Sequence, residues 1–438
     1  MTTSAEPRGE TEELRQGLPE AATIAAVALL ALVTLAMVGK FLHHDYKDAE
    51  VWYDVGRRVI EGRSLLHLQH YRYPPTFAVL VAPLCLLPWP AFFFVWYALN
   101  LALLGLCVRM AARLAAPGGG PPRLLWLPAT MVMIYAIDNL FLGQTNPLIT
   151  VLLYWTMCEL VRGREWLAGV PLGLSIALKV FTFPWAAYLA YRGRVRALTL
   201  TLAVCAFCLF LLPAPVRGFE RNLYEVKDWG QRVVAPYLSR GQAGDWGQHA
   251  LDFGNQSLQA VLHRLLTRTD ANVIARHGRA IYVNVADLTE SQVNAVLLVA
   301  MGLLAAGFVI ACGWRRPQNQ AQYAIELAMS VIVLTLISAI AWTYFFVTML
   351  LPFAVALHLV GLHDPTPLRP TTRRLLRWAL WAQALVAVSL VSADTRAMGS
   401  VCWGTLLIYV ALALAAWDLR RATPVPSSPT PPPSTPSC

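Results

Sequence analysis

The stretch AATIAAVALLALVTLAMVGKFL, residues 21–42, decides the fold of this chain. It is about as long as the roughly 20 apolar residues that cross the hydrocarbon core of a bilayer. The polar leader before it, residues 1–20, contains Glu6, Glu10, Glu12, Glu13 and Glu20, the wrong charge for the n-region of a signal peptide. The stretch therefore reads as a retained first span, with the leader as a short polar extension.

Working outward, the same pattern recurs along almost the whole chain. Of 438 residues, 57% are hydrophobic and only 14% are charged, against about a quarter charged in an ordinary soluble domain. The mean hydropathy is positive. An apolar stretch over 74–110 is broken by Pro83, Pro88 and Pro90, which predicts an interfacial or re-entrant helix before a full span. Further runs follow at 124–138, 146–161, 167–178, 180–191 and 197–213; several are short and read as tilted or broken helices. A long polar region, 215–292, interrupts them before runs resume at 294–313, 322–338, 341–360, 376–391 and 399–417. Water could not cover so many apolar segments at once. The expectation is an all-α polytopic membrane protein with about 10–12 transmembrane helices between residues 21 and 422. The Pro/Ser/Thr-rich end, 423–438, reads as a disordered tail.

Charge orients the bundle. The formal net charge is +10, but the arginines are distributed among short loops rather than gathered in a nucleic-acid patch, so no nucleic-acid partner is expected. Alternate connections carry them: Arg109, Arg113 and Arg123; Arg162 and Arg164; Arg192, Arg194 and Arg196; Arg315 and Arg316; Arg369, Arg373, Arg374 and Arg377; Arg420 and Arg421. The positive-inside rule places these on the cytoplasmic side, with both chain ends. The segments 43–73 and 215–292 then share the outer face of a plasma (inner) membrane, where a site built from both is the natural expectation. The eight cysteines lie almost entirely in apolar runs, so no disulfide framework is implied.

The chemistry-bearing residues concentrate on that face. The segment His43-His44-Asp45-Tyr46-Lys47-Asp48-Ala49-Glu50-Val51-Trp52-Tyr53-Asp54 continues through Arg57, Arg58 and Gly62 to Tyr71-Arg72-Tyr73-Pro74-Pro75. A helix here puts Asp48 one turn before Trp52, an acid and an aromatic on one face that suit a sugar-like or phosphate-bearing ligand; a solvated juxtamembrane helix reads the same spacing equally well. His43, His44, Asp45 and Asp48 are also metal-ligand types, but nothing in the surrounding sequence supports a metal, and none is expected. Lys179 interrupts an apolar stretch where an ammonium costs about 2.5–3.5 kcal/mol at mid-membrane. Pro184 and the shortness of the flanking runs favour a lysine facing a polar cavity over one that snorkels. Asp138, Asn139, Gly143, Gln144, Thr145 and Asn146 form a compact polar turn, and Asn255, Gln256 and Ser257 precede a helical run; either group could be ordinary capping. Glu159 and Glu326 read as pairing residues near cytoplasmic ends of spans.

At these residues the sequence resembles the polyprenol-phosphate-mannose-dependent mannosyltransferases of glycosyltransferase family 87. Four stretches carry the resemblance: Asp48-Ala49-Glu50-Val51-Trp52-Tyr53 with Gly56-Arg57, Gly62 and Tyr73-Pro74-Pro75; Gly143-Gln144-Thr145-Asn146 opening a span; Leu167-Ala168-Gly169 through Gly173 to Ala177-Leu178-Lys179; and Gly254-Asn255-Gln256-Ser257-Leu258. The resemblance implies a GT-C-like membrane bundle with outer-face loops, Asp48 as general base with Asp45 as its fallback, and a lipid-linked sugar phosphate as donor with no separate cofactor. It departs from the family in the late span, where Ser338-Ala339-Ile340-Ala341-Trp342-Thr343-Tyr344 puts Tyr344 in the position of the family's histidine.

The implied reaction is attack by an acceptor hydroxyl, of a glycolipid or glycan, on the anomeric carbon of a sugar, most simply mannose, carried on polyprenyl phosphate. Asp48 takes the proton and the configuration inverts in one displacement. Lys179, Arg57, Arg58 and Tyr344 are the candidates for the donor phosphate. Trp52, Tyr53, Tyr73, Gln144, Asn146, Asn255, Gln256 and Trp342 are the candidates for substrate binding. Trp229, Tyr237, Trp246 and His249 in the large outer region suit acceptor recognition by stacking. The rival is a multi-pass transporter or lipid flippase, which broken helices and an intramembrane lysine also fit; the absence of an internal repeat counts against it.

Overall fold

A computed structural model describes residues 28, 31, 32, 34–39, 41–43, 48–66, 68, 71–236, 249–274, 278–361 and 368–422. The leader 1–20, His44, Asp45, Tyr237, Trp246 and the tail 423–438 lie outside the described residues. The chain divides into two units after Asp48. In the first, the described residues between 28 and 42 are helical. The second is all-α; among its described residues the one β-type pairing is an isolated bridge between Asn255 and Trp342.

The helices, in chain order, begin with α1 (Asp48–Ile60), α2 (Pro75–Val81), α3 (Trp89–Ala115), α4 (Arg123–Leu142), α5 (Asn146–Val161), α6 (Glu165–Leu178), α7 (Trp185–Tyr191) and α8 (Val195–Ala206). There follow α9 (Phe219–Trp229), α10 (Leu258–Leu266), α11 (Glu290–Cys312), α12 (Gln320–Ile337), α13 (Leu350–Val360), α14 (Pro370–Ser389) and α15 (Ser400–Ala422). Among the described residues, seven helices are long and apolar enough to cross a membrane: α3, α4, Val195–Arg217, α11, α12, Thr343–Val360 and α15. Pro75–Leu86, α5 and α6 are apolar but shorter. The outside of the bundle is apolar as well. Leu298, Val299 and Leu303 on α11 and Trp381, Leu385 and Val388 on α14 stand exposed, a belt that is stable against lipid and not against water.

Sequence chemistry sets where helices stop. Over 74–115, the prolines cut the apolar run into α2, a 3-10 turn Ala82–Leu86 and the 27-residue α3, which at 1.5 Å per residue is roughly 40 Å long. α4 closes on Gly143, whose φ of 70° is left-handed and costs a glycine nothing. α6 ends at Leu178 because Lys179 is extended, with φ −153° and ψ 110°. A 3-10 turn Val180–Thr182 and Pro184 then separate it from α7.

The short helices are held by close packing. A Cβ on Gly169 would stand 2.6 Å from the Ala197 carbonyl oxygen, and one on Gly173 would stand 2.6 Å from that of Thr201. Two glycines four apart on α6 thus face two small residues four apart on α8, the arrangement that lets membrane helices approach backbone to backbone. At one end of the bundle, Arg192 pairs with Glu326 of α12, with its Nε at 2.6 Å from Oε1, and Tyr188 donates to the same carboxylate oxygen at 2.7 Å. Glu159 pairs with Arg162 at 2.6 Å. Both acids are thus paired.

The polar segments 43–73 and 215–292 meet. Glu225 of α9 forms a buried pair with Arg217 and accepts the Leu65 N–H at 3.1 Å. Arg221 donates to the Gly62 carbonyl at 2.8 Å, and the Trp229 indole to the Arg72 carbonyl at 3.0 Å.

Candidate functional site

One end of the bundle gathers the C-terminal ends of α4, α6 and α12 and the N-terminal ends of α5 and α15. The helix α1 packs there through Ala49, Trp52, Val55, Gly56 and Val59, its buried residues. The Trp52 indole donates to the Gly143 carbonyl at 2.7 Å, and Trp96 donates to the same oxygen at 2.9 Å. A Cβ on Gly143 would stand 2.9 Å from that of Ala49, so only glycine serves this contact as well as the left-handed turn. The start of α1 is therefore pinned to the turn that carries Gln144, Thr145 and Asn146. Asp48 is the first residue of that helix and immediately precedes Ala49.

Beside the turn lies Lys179. Its Nζ donates to Asn146 Oδ1 at 2.8 Å and stands 4.1 Å from the ring centroid of Phe345, 5.4 Å from that of Tyr73 and 6.0 Å from that of Tyr344. An ammonium has donors only, so the amide must turn its oxygen to it. Asn146 Nδ2 is then left buried without a hydrogen-bond partner among the described residues. The Tyr73 hydroxyl lies 2.8 Å from Thr145 Oγ1 and 3.4 Å from Gln144 Oε1. Lys179, Asn146, Tyr73, Gln144 and Tyr344 thus converge, and Phe345 joins them. The aromatic faces stabilise the cation.

A second locus adjoins it through the connection 338–344. Thr343 donates to Asp138 Oδ2 at 2.6 Å. Trp342 bridges to Asn255, and its ring lies where a Cβ on Gly254 would meet it at 3.0 Å. The Arg396 guanidinium stacks over Phe253 at 4.3 Å. Burial draws its pKa below the usual arginine value, and Asp252 and Asp138 act against that shift. Sequence reading passed over Arg396 because it is a lone cation in a short connection; only the fold brings it near acids so distant in the chain.

Six of the predicted residues serve other contacts. Arg57 pairs with Glu61 at 2.9 Å and Arg58 with Asp54 at 2.7 Å, both one turn along α1 on its more exposed face. They are not among the groups gathered at Lys179. Asn255 and Gln256 are fully buried. Asn255 Nδ2 donates to the Ala250 and Ala339 carbonyls, and its Oδ1 accepts from Ser257 and Ala341 N–H groups. Gln256 Nε2 donates to the Phe253 and Arg396 carbonyls at 2.7 Å each. These two side chains fasten the large loop to the connections beside the site. Tyr53 turns toward Trp89 and Phe92, with its hydroxyl on the Leu87 carbonyl at 3.1 Å. Trp52 is 2% exposed and acts as the anchor described above.

Fold and site together define a multi-pass helical membrane protein with a caged cation at one end of its bundle. The profile of glycosyltransferase family 87 matches residues 71–339, and the chain belongs to that family. It is 29% identical over 200 residues to a polyprenol-phosphate-mannose-dependent alpha-(1-2)-phosphatidylinositol pentamannoside mannosyltransferase of Mycobacterium tuberculosis (strain CDC 1551 / Oshkosh), a match covering 45% of this chain and 42% of the relative. It is also 28% identical over 167 residues to GPI mannosyltransferase 1 of Aspergillus oryzae (strain ATCC 42149 / RIB 40), covering 36% of this chain and 39% of that protein. The chain thus spans about two fifths of the length of either relative. No solved structure matches it.

Proposed function

We propose that this chain is a membrane glycosyltransferase that moves a sugar, mannose by analogy with its relatives, from a polyprenyl-phosphate donor to an acceptor hydroxyl. The observation that carries the reading is Lys179 at the helix break, held by Asn146 and caged by Tyr73, Tyr344 and Phe345. A lysine in an aromatic cage at the end of a span suits a phosphate whose lipid tail stays in the bilayer. Asn146 Nδ2, buried without a partner among the described residues, is in this reading a further donor to the same anion.

In this mechanism the acceptor oxygen attacks the anomeric carbon as the bond from that carbon to the phosphate oxygen breaks. The electron pair leaves with polyprenyl phosphate, whose growing charge Lys179 and Asn146 stabilise. The acceptor proton passes to the Asp48 carboxylate. The packing of Ala49 against the Gly143 turn supports Asp48 in this role, since Asp48 is the residue before it in α1. The arginine-bearing connections Arg162–Arg164, Arg192–Arg196 and Arg315–Arg316 lie at the other end of the bundle, which supports an outward-facing site in the plasma membrane. The acceptor is then a glycolipid or glycan hydroxyl on that face.

The test supplies membranes containing the chain with mannosyl polyprenyl phosphate labelled in the sugar. Label enters lipid or glycan products with the wild-type chain and not with Asp48→Asn at equal expression. Equal labelling by the two would remove Asp48 from the mechanism, and labelling that does not depend on the chain would overturn the reading.

A further inference from the structure

At the opposite end of the same helices is a recess that the transfer reaction does not use. It is lined by Cys312, Arg315, Arg316, Gln318, Gln322 and Arg420, with Glu326 at its inner wall. It lies where α11 ends, α12 begins and α15 ends. The Trp342 connection follows the other end of α12, and 18 residues of helix separate the two by roughly 27 Å, close to the thickness of a hydrocarbon core.

The charge of the recess is not balanced from within. Glu326 already serves Arg192 and Tyr188. Arg316 reaches Glu165 only at 3.6 Å. Arg315 and Arg420 have no ion-pair partner among the described residues; the Arg420 guanidinium is folded over Gly313, where an added Cβ would stand 1.6 Å from it. Three guanidinium groups, donors only, therefore surround one hollow, and Gln318 and Gln322 line it beside them, with the Gln322 amide already bonded to the Gln318 N–H and the Leu419 carbonyl. Its rim carries the exposed Trp314 and, on α15, Trp417 with Arg421 stacked on it at 4.6 Å. Indoles and arginines at this depth mark the level of the lipid head groups, and a basic pocket between spans at that level is suited to an anionic head group.

We propose that this recess binds a phosphate group, as an acidic phospholipid of the leaflet opposite the Lys179 site presents it. The site holds whether or not the chain transfers sugar, so its test reads binding alone. The full chain is placed in nanodiscs of phosphatidylcholine containing phosphatidylglycerol, and lipids retained after release are counted by native mass spectrometry. In a second arm, the melting temperature in detergent is measured with inorganic phosphate against chloride at equal ionic strength. The wild-type chain retains phosphatidylglycerol over phosphatidylcholine, and R315Q/R420Q weakens that retention about thirty-fold, the effect of losing two cationic contacts of roughly 1 kcal/mol each. Stabilisation by inorganic phosphate that the double variant loses would assign the same pocket to a free anion instead of a lipid. Arg315→Gln alone guards against misfolding, because its exposed side chain leaves intact the backbone carbonyl that accepts from Arg192 at 3.0 Å; it shows a partial loss. Retention and melting that are equal in wild type and both variants would overturn the proposal.

Discussion

Lys179 Nζ and Asn146 Oδ1 are 2.8 Å apart although Asn146 opens α5 and Lys179 follows the end of α6, 33 positions later. The contact joins the broken end of α6 to the first turn of α5. At that end the backbone of Lys179 is extended, and its side chain meets a polar partner and three aromatic rings.

Replacing Lys179 by Met keeps most of its bulk and removes the charge. The aromatic cage persists, but under the proposed mechanism the leaving phosphate loses its cation. Turnover with a polyprenyl-phosphate sugar is expected to fall about 100-fold, in the range of losing one oriented electrostatic donor. The dependence on donor concentration should shift more than that on acceptor. Steady-state kinetics in nanodiscs read both, and an unchanged donor dependence would take Lys179 out of the phosphate contact.

The α6–α8 contact predicts a steric threshold. Gly173→Val introduces atoms where the Thr201 carbonyl and Val204 side chain already stand at 2.6 and 2.8 Å, so the two helices must separate. A loss of about 1–3 kcal/mol is expected from overpacking of this kind. Gly302→Ala on α11 is the control, since nothing lies within 4 Å of its added Cβ; it should be neutral or slightly stabilising. Unfolding in mixed micelles compares the two, and equal stability would mean that α6 and α8 are not in contact through Gly173.

His263 on α10 gives the region 258–292 a dependence on pH. Burial lowers its pKa below the ordinary histidine value, opposed by Glu290 and by a hydrogen bond with Asn294. The folded state therefore holds the ring neutral at pH values where an unfolded ring takes a proton. Above about 6.5 both states are neutral and the group contributes nothing. As pH falls through that value, stability is lost until the folded ring also protonates. Protection from hydrogen exchange over 258–292, taken relative to the intrinsic rate at each pH, should fall on acidification in the wild type and less so in His263→Gln. An identical acid response in the two would show that another group governs it.

The sequence disclosed the spans and the broken helix far better than the ties between them. The apolar run at 146–161 coincides with α5, and that at 167–178 lies within α6, because hydropathy is a local property and lipid rewards it directly. Lys179 was legible for the same reason, as a costly charge between short runs. Asn255 and Gln256 were legible as unusual residues but not as fasteners, since their partners Ala339 and Arg396 lie 84 and 140 positions away. Arg264 offered no signal at all. In an amphipathic nine-residue helix it reads as a surface residue, yet it is buried and donates to the carbonyls of Ala397, Asp252 and Asn255. Burial pulls its pKa down to about 10, which still leaves it charged at neutral pH. Backbone carbonyls carry no sequence mark, so a cation that serves them cannot be found by looking for acids.

The Arg192–Glu326 pair separates two ideas of what a buried ion pair does. Both side chains are about 97–98% buried, and Arg192 also donates to the carbonyls of Cys312, Gly313 and Arg315. Glu326→Leu leaves the guanidinium buried with only dipoles around it, and Arg192→Leu strands the carboxylate against the Tyr188 hydroxyl. Breaking one side of such a pair costs about 3–5 kcal/mol, so each single variant should unfold at markedly lower denaturant in micelles. In R192L/E326L no charge remains buried, and stability should recover much of the loss, though not all, because three carbonyls lose their donor. If the double variant is as unstable as the sum of the singles, the pair is coupled to nothing and the carbonyl contacts alone hold the ends of α7 and α11 together.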